Sequence, residues 1–168
     1  MGLDISAYRN IQPATPSDLG ADGQPLTDDF MYVYPGDFPE RVQDLPEGYY
    51  RCARRSRDSL GFRAGSYGGY SRWRNILARI AGYHTPAEDE TEAHVEAAWR
   101  ATSGPFWELI NFSDCEGCIG PTVAQKLLAD FIQFDEQALQ EGDYFYEVYR
   151  NFTHAMVLAS ENGVVVFH

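Results

Sequence analysis

The chain has 168 residues, 44% hydrophobic and 23% charged, a globular composition long enough to bury a core. Its net charge of −12 excludes a protein that coats DNA or RNA through a basic surplus. No stretch approaches the ~20 apolar residues of a membrane span, and residues 1–4 lack the basic start and apolar run of a signal peptide.

Residues 2–8 alternate apolar and polar (Leu3, Ile5, Ala7 against Asp4, Ser6, Tyr8), the pattern of a strand. Residues 10–29 are rich in Pro, Asp, Gly and Gln and read as a long loop. Phe30-Met31-Tyr32-Val33-Tyr34 reads as a second strand, stopped by Pro35-Gly36, and residues 48–53 as a third. Tyr70, Trp73, Leu77 and Ile80 form one apolar stripe and predict a helix over 70–81, closed by Gly82. Thr85, Pro86 and Glu88 make a capping box for the next helix, which runs to about Thr102. The aromatic run Phe-Trp-Glu-Leu-Ile-Asn-Phe at 106–112 reads as a short strand, and 113–120 as a loop. Pro121 opens a helix with Val123, Leu127, Leu128, Phe131 and Phe134 on its apolar side. A further helix over 143–161 turns Phe145, Val148, Tyr149, Phe152 and Met156 inward, and Val164-Val165-Val166-Phe167 is a closing strand. The order predicts an α+β fold: one domain over 1–168, about four helices on a mainly antiparallel or mixed sheet.

Charge is unevenly placed. Segment 51–79 holds eight arginines against one acid, Asp58, and so carries +7; the other five basic and 24 acidic residues leave −19. Arginine outnumbers lysine twelve to one, and its planar fork suits phosphate and carboxylate. The bland alternative is that these arginines pair with the acidic remainder.

Within that segment, Gly61-Phe62-Arg63-Ala64-Gly65-Ser66-Tyr67-Gly68-Gly69-Tyr70-Ser71-Arg72-Trp73-Arg74 reads as a glycine-rich turn entering a helix. Free N–H groups at a helix start favour an anion. Arg63, Arg72 and Arg74 add charge, Ser66 and Tyr67 add hydroxyls, and Tyr67, Tyr70 and Trp73 offer rings on which a base stacks. The spacing matches neither a Walker A loop nor a dinucleotide-binding loop. The competing reading turns Tyr70 and Trp73 into the core.

A second loop, Ser113-Asp114-Cys115-Glu116-Gly117-Cys118-Ile119-Gly120-Pro121, carries two carboxylates before another helix. Asp114 and Glu116 suit ribose hydroxyls, a cation or acid–base work, but no histidine lies near them in sequence. The alternative is a turn in which Ser113 or Asp114 satisfies the backbone. Zinc would need Cys52 and one of His84, His94, His154 or His168 to converge on Cys115 and Cys118. No cofactor or metal is implied, and three cysteines without a secretory signal fit a reducing compartment.

Met1-Gly2-Leu3-Asp4-Ile5, the Gly-Ser-Tyr-Gly-Gly-Tyr-Ser-Arg-Trp-Arg segment and Phe-Trp-Glu-Leu-Ile-Asn-Phe-Ser-Asp-Cys-Glu-Gly-Cys-Ile-Gly-Pro resemble an uncharacterised family of small phage and prophage proteins. The resemblance lends no catalytic residues. It implies a bacterial host cytoplasm and an accessory role, such as countering host defence. The first reading is a module binding a small phosphorylated nucleotide-like ligand: Arg63, Arg72 and Arg74 on phosphates, tyrosines or Trp73 on the base, Asp114 or Glu116 on ribose. The second is a hydrolase of a phosphoester or N-glycosidic bond using Asp114 or Glu116. The third is an inhibitor that docks on a basic host protein through its acidic surface, above all 88–96. A homo-oligomer, with such a pocket at its interface, stays open at this stage.

Overall fold

The computed structural model describes residues 2–84 and 93–168. Strand β1 (Gly2–Tyr8) lies inside a four-stranded antiparallel sheet, between β5 (Ser59–Ser66) and β7 (Val164–Phe167), with β6 (Gly117–Ile119) beyond β7. A three-stranded antiparallel sheet is made by β2 (Gln12–Pro13), β4 (Gly48–Arg51) and β3 (Phe30–Val33), in that order. The predicted α+β class holds, and the strands divide between two sheets.

The run Val164-Val165-Val166-Phe167 explains the division. It is buried on both faces, so its apolar residues do not alternate with polar ones. Val165 and Phe167 point to the helix side, with Leu3, Ile5 and Ala7 of β1. Val164 and Val166 point the other way, where Met31, Val33 and Tyr50 of the small sheet pack on them with Tyr8 and Cys118.

On the helix side, α1 (Tyr67–Ile80), α4 (Pro121–Gln133) and α6 (Asp143–Ser160) cover the large sheet, with α2 (Ala93–Arg100), α3 (Trp107–Ile110) and α5 (Asp135–Leu139) around them. Phe152 of α6 is the hub. Its ring lies 5.0 Å from Trp73, 6.0 Å from Tyr70, 5.1 Å from Phe62 and 6.3 Å from Phe167. It therefore joins α1 to both β5 and β7 through ring contacts that add to the burial itself.

Four local expectations change. Residues 59–66 form a strand rather than a glycine-rich turn, because pairing with β1 over its whole length outweighs the low strand preference of Gly61 and Gly65. Helix α1 accordingly starts at Tyr67, capped by the Ser66 hydroxyl, which accepts from Gly69 N–H at 3.1 Å. Within 113–120, Gly117–Ile119 pairs with β7 as an edge strand.

Residues 106–112 are not a strand. Phe106 takes a left-handed backbone (φ 55°), its N–H donates to Asp130 Oδ2 at 2.7 Å, and one turn of helix follows. Arg41 then donates to the carbonyls of Glu108 (2.9 Å) and Asn111 (3.1 Å), which serves these groups in place of a neighbouring strand. The capping box at Thr85, Pro86 and Glu88 lies outside the described residues, and the helix it introduces is described over Ala93–Arg100.

Asp130 is 9% exposed and also receives Lys126 Nζ at 2.8 Å. Asp130→Ala would strand the Phe106 N–H and leave Lys126 with Glu108 and the Gly104 carbonyl. We expect a loss of about 1–3 kcal/mol in urea unfolding, with the slope unchanged.

Candidate functional site

Helix α1 divides the predicted site residues by its own period. Tyr70 and Arg74, with Leu77, face inward; Ser66, Gly69, Arg72 and Ile76 face a surface pocket; Trp73 sits between. The pocket has a volume of about 290 Å³, and Tyr144 and Phe145 at the start of α6 form its far wall.

Its floor is built from close contacts. Trp73 is 2% exposed; its indole N–H donates to the Phe145 carbonyl at 3.2 Å, and its ring stacks on Phe145, Phe152 and Tyr70. Tyr144 is 62% exposed and lies across the glycines of the strand–helix junction. A Cβ on Gly65, whose φ is +120°, would stand 2.9 Å from the Tyr144 hydroxyl. Glycine at 65 thus allows both the backbone conformation and the approach of Tyr144.

The pocket's polar end is formed by Ser66 and Gly69 at the N-terminus of α1, with Arg72. No acid occupies its first turn, and Ser66 satisfies only Gly69. The N–H groups of Tyr67 and Gly68 have no intrahelical acceptor. Arg72 is exposed, makes no hydrogen bond or ion pair with any described residue, and its guanidinium lies near Gly68. Among the described lining residues there is no carboxylate, thiol or imidazole.

Arg74 has a different role. It is 8% exposed, donates to the carbonyls of Phe112 (2.9 Å) and Ile110 (3.5 Å), and stacks its guanidinium over the Tyr70 ring at 4.8 Å. Its outer nitrogen reaches Asp114 Oδ2 at 3.9 Å. The arginine segment and the Asp114–Glu116 loop therefore do meet, but beneath that loop and away from the α1 pocket. Arg74 Nε and the Tyr70 hydroxyl are buried without a hydrogen-bond partner among the described residues. Burial pushes the Tyr70 hydroxyl's pKa up, with Arg74 opposing and Asp114 adding to the shift.

The remaining predicted residues lie apart. Arg63 projects from β5 and faces Asp4 at 3.8 Å, with both side chains more than half exposed. Tyr67 opens α1 and packs against the helix-side core. Glu116 is exposed, and its N–H, like that of Cys115, donates to the Ser113 hydroxyl, the local turn that Ser113 predicts. Cys115 is exposed, whereas Cys118 is buried in the core between the sheets. No group of three or more His, Cys, Asp or Glu side chains gathers among the described residues.

Part of the local +7 is engaged by partners, mostly at the surface. Arg51 pairs with Asp18, Arg79 with Glu141 at 2.5 Å, and Arg54 donates to the Phe30 carbonyl at 2.8 Å. Sequence reasoning missed Tyr144, although three aromatics in a row at 144–146 with Phe145 inward must turn a neighbour to solvent. It also missed Arg41, a loop arginine 2% exposed, for which the sequence carries no signal.

Removing the unpartnered Tyr70 hydroxyl relieves a buried polar group while keeping the ring under Arg74. Tyr70→Phe is expected to match the parent or gain up to about 1 kcal/mol, whereas Arg74→Met loses about 2 kcal/mol or more, both read from thermal unfolding. Burial pushes the Cys118 thiol up to about 11, against a weak opposing contact from Tyr34 N–H, so it stays protonated at neutral pH. A thiol reagent at pH 8 should modify Cys115 alone in the folded chain, with Cys52 and Cys118 reacting only after denaturation.

No helix among the described residues is long and apolar enough to cross a membrane. Comparison with known protein families, curated proteins and solved structures finds no match to this chain, so the site is read from its own chemistry.

Proposed function

We propose that this protein is a binding module for a small phosphorylated nucleotide-type ligand, held at the N-terminus of α1. One observation carries the reading: a single pocket joins an unspent arginine and a helix start to an exposed aromatic ring. Arg72, the Ser66 hydroxyl and the N–H groups of Tyr67 and Gly68 would hold the phosphate. Ser66 accepts from Gly69 and keeps its own proton to donate. Tyr144 would carry the base, a role that the packed faces of Tyr70 and Trp73 leave to it.

Size narrows the class. At about 290 Å³ the pocket lies at the small end of ligand sites, which span about 300–1,000 Å³. One nucleotide unit fits; a cyclic dinucleotide would leave its second half in solvent. The hydrolase reading is less well supported, because Asp114 faces Arg74 and no carboxylate is among the described lining residues. The acidic-inhibitor reading rests largely on 88–96, most of which lies outside the described residues. If the protein acts in a phage-infected cell, as the resemblance implies, sequestration of a host signal nucleotide is the corresponding role.

A thermal-shift screen against nucleoside mono-, di- and triphosphates tests this. Ligand at 100 times Kd should add about 2.7 kcal/mol, a rise of several degrees. Arg72→Ala should cost at least about tenfold in affinity and Tyr144→Ala a further loss, each with an unchanged melting point without ligand. Recovery of the nucleotide unaltered supports binding, and recovery of a cleaved product favours the hydrolase. A screen without any shift would remove the proposal.

A further inference from the structure

The segment between β4 and β5 carries three exposed arginines, Arg54, Arg55 and Arg57, of which Arg54 and Arg55 line cavities, in surroundings unlike those of Arg72. Residues 52–58 stand between the two sheets. The small sheet covers the outer face of the large one at Val164 and Val166 and leaves Ser6 and Gly61 facing an open corner. That corner has a volume of about 350 Å³ and is walled by Ser6 and Tyr8 of β1, Ser59 and Gly61 of β5, and Arg54 and Arg55. On the other side of the same two arginines lies a groove of about 730 Å³, walled by Thr27, Asp28 and Asp29.

The loop is fixed by its own hydrogen bonds. Ser56 Oγ donates to the Ala53 carbonyl (2.9 Å) and accepts from Asp58 N–H (3.0 Å), while Ser56 N–H donates to Ser59 Oγ (3.1 Å). Cys52 N–H ties the loop to Asp29 at 2.8 Å. Arg54 is held by the Phe30 carbonyl at 2.8 Å, faces the Cys52 thiol and lies 5.9 Å from the Tyr8 ring, and a guanidinium has five donors. Arg55 sits in the left-handed region at φ 54° and is exposed, and its guanidinium makes no hydrogen bond or ion pair with any described residue. Glycine would adopt that backbone more readily, so the loop holds a long cationic side chain where its geometry is strained. Strain of this kind gathers at ligand-binding loops.

We infer that Arg54 and Arg55 form a second anion site, for the phosphoryl group of a small polar phosphate ester such as a sugar phosphate. The corner takes the phosphoryl group, because no carboxylate is among its described lining residues. The larger groove presents Asp28 and Asp29, which accept from hydroxyls and repel an anion, beside the neutral Thr27 hydroxyl. A ligand seated on the arginine ridge reaches both. The site is separate from the α1 pocket: Ser59 and Ser66 mark opposite ends of β5, ~23 Å apart at the rise of an extended strand.

The test is an amide chemical-shift titration of the full chain with a hexose 6-phosphate, with inorganic phosphate and with the unphosphorylated hexose. Saturating shifts at Ser56, Ser59 and Gly61 are expected with the ester, weaker ones with phosphate, and none with the hexose. Arg55→Gly should lower affinity by about tenfold or more while raising the melting temperature by about 2–4 °C, so that lost binding is not lost folding. Arg55→Lys, which keeps the charge but not the fork, should lose less. Arg72→Ala should leave this titration unchanged, which separates this site from the α1 pocket. Absence of shifts at the corner with millimolar ester, equal binding of ester and phosphate, or unchanged affinity in Arg55→Gly would each overturn the assignment.

Discussion

The buried guanidinium of Arg74 fixes the geometry on which the rest of α1 depends. A charge taken out of water must be repaid by close partners. Arg74 finds them in the Ile110 and Phe112 carbonyls, the Tyr70 ring and the edge of Asp114. The two carbonyls belong to a turn with no strand neighbour of its own. The arginine thus settles two matters together: the 106–112 segment docks on α1, and the rotation of α1 about its axis is set. With Arg74 and Tyr70 turned in, Arg72 and the Ser66 cap must turn out.

The same demand recurs around the Phe106 turn. Arg41 serves the Glu108 and Asn111 carbonyls, and Asp130 serves the Phe106 N–H. Cations and one anion reach in from three different elements to complete a backbone that secondary structure leaves unfinished. Arg54 likewise serves the Phe30 carbonyl, whereas Arg51 and Arg79 form ion pairs with Asp18 and Glu141. Arg55, Arg57 and Arg72 are exposed and lack partners among the described residues, and the two proposed sites lie at Arg72 and Arg55.

Elements whose pattern matched one burial environment were legible in the sequence. The alternation in β1, the stripe of α1 and the inward face of α6 all correspond to observed burial. Strand β5 was hidden because its glycines suggest a turn until β1 is laid beside it, a contact distant in sequence. The Phe106 turn was hidden because its cause is Asp130 and Arg41, which no local window contains. For the site, residue types were legible and directions were not. Ser66 and Arg72 line one pocket, without Asp114 or Glu116, and Trp73 is nearly buried beneath it. Arg74 and Asp114 meet, though in a structural contact rather than around a ligand. Tyr144 emerges only when α6 is docked against the Gly65–Gly69 junction.

The central claim is that α1 presents its N-terminus, Arg72 and Tyr144 to one anionic ligand. A structure of the chain grown with a nucleoside monophosphate tests it most directly. The account predicts phosphate oxygens on the Tyr67 and Gly68 N–H groups and the Arg72 guanidinium, with the base against the Tyr144 ring. Phosphate density elsewhere, or a base seated at Asp114, would contradict it.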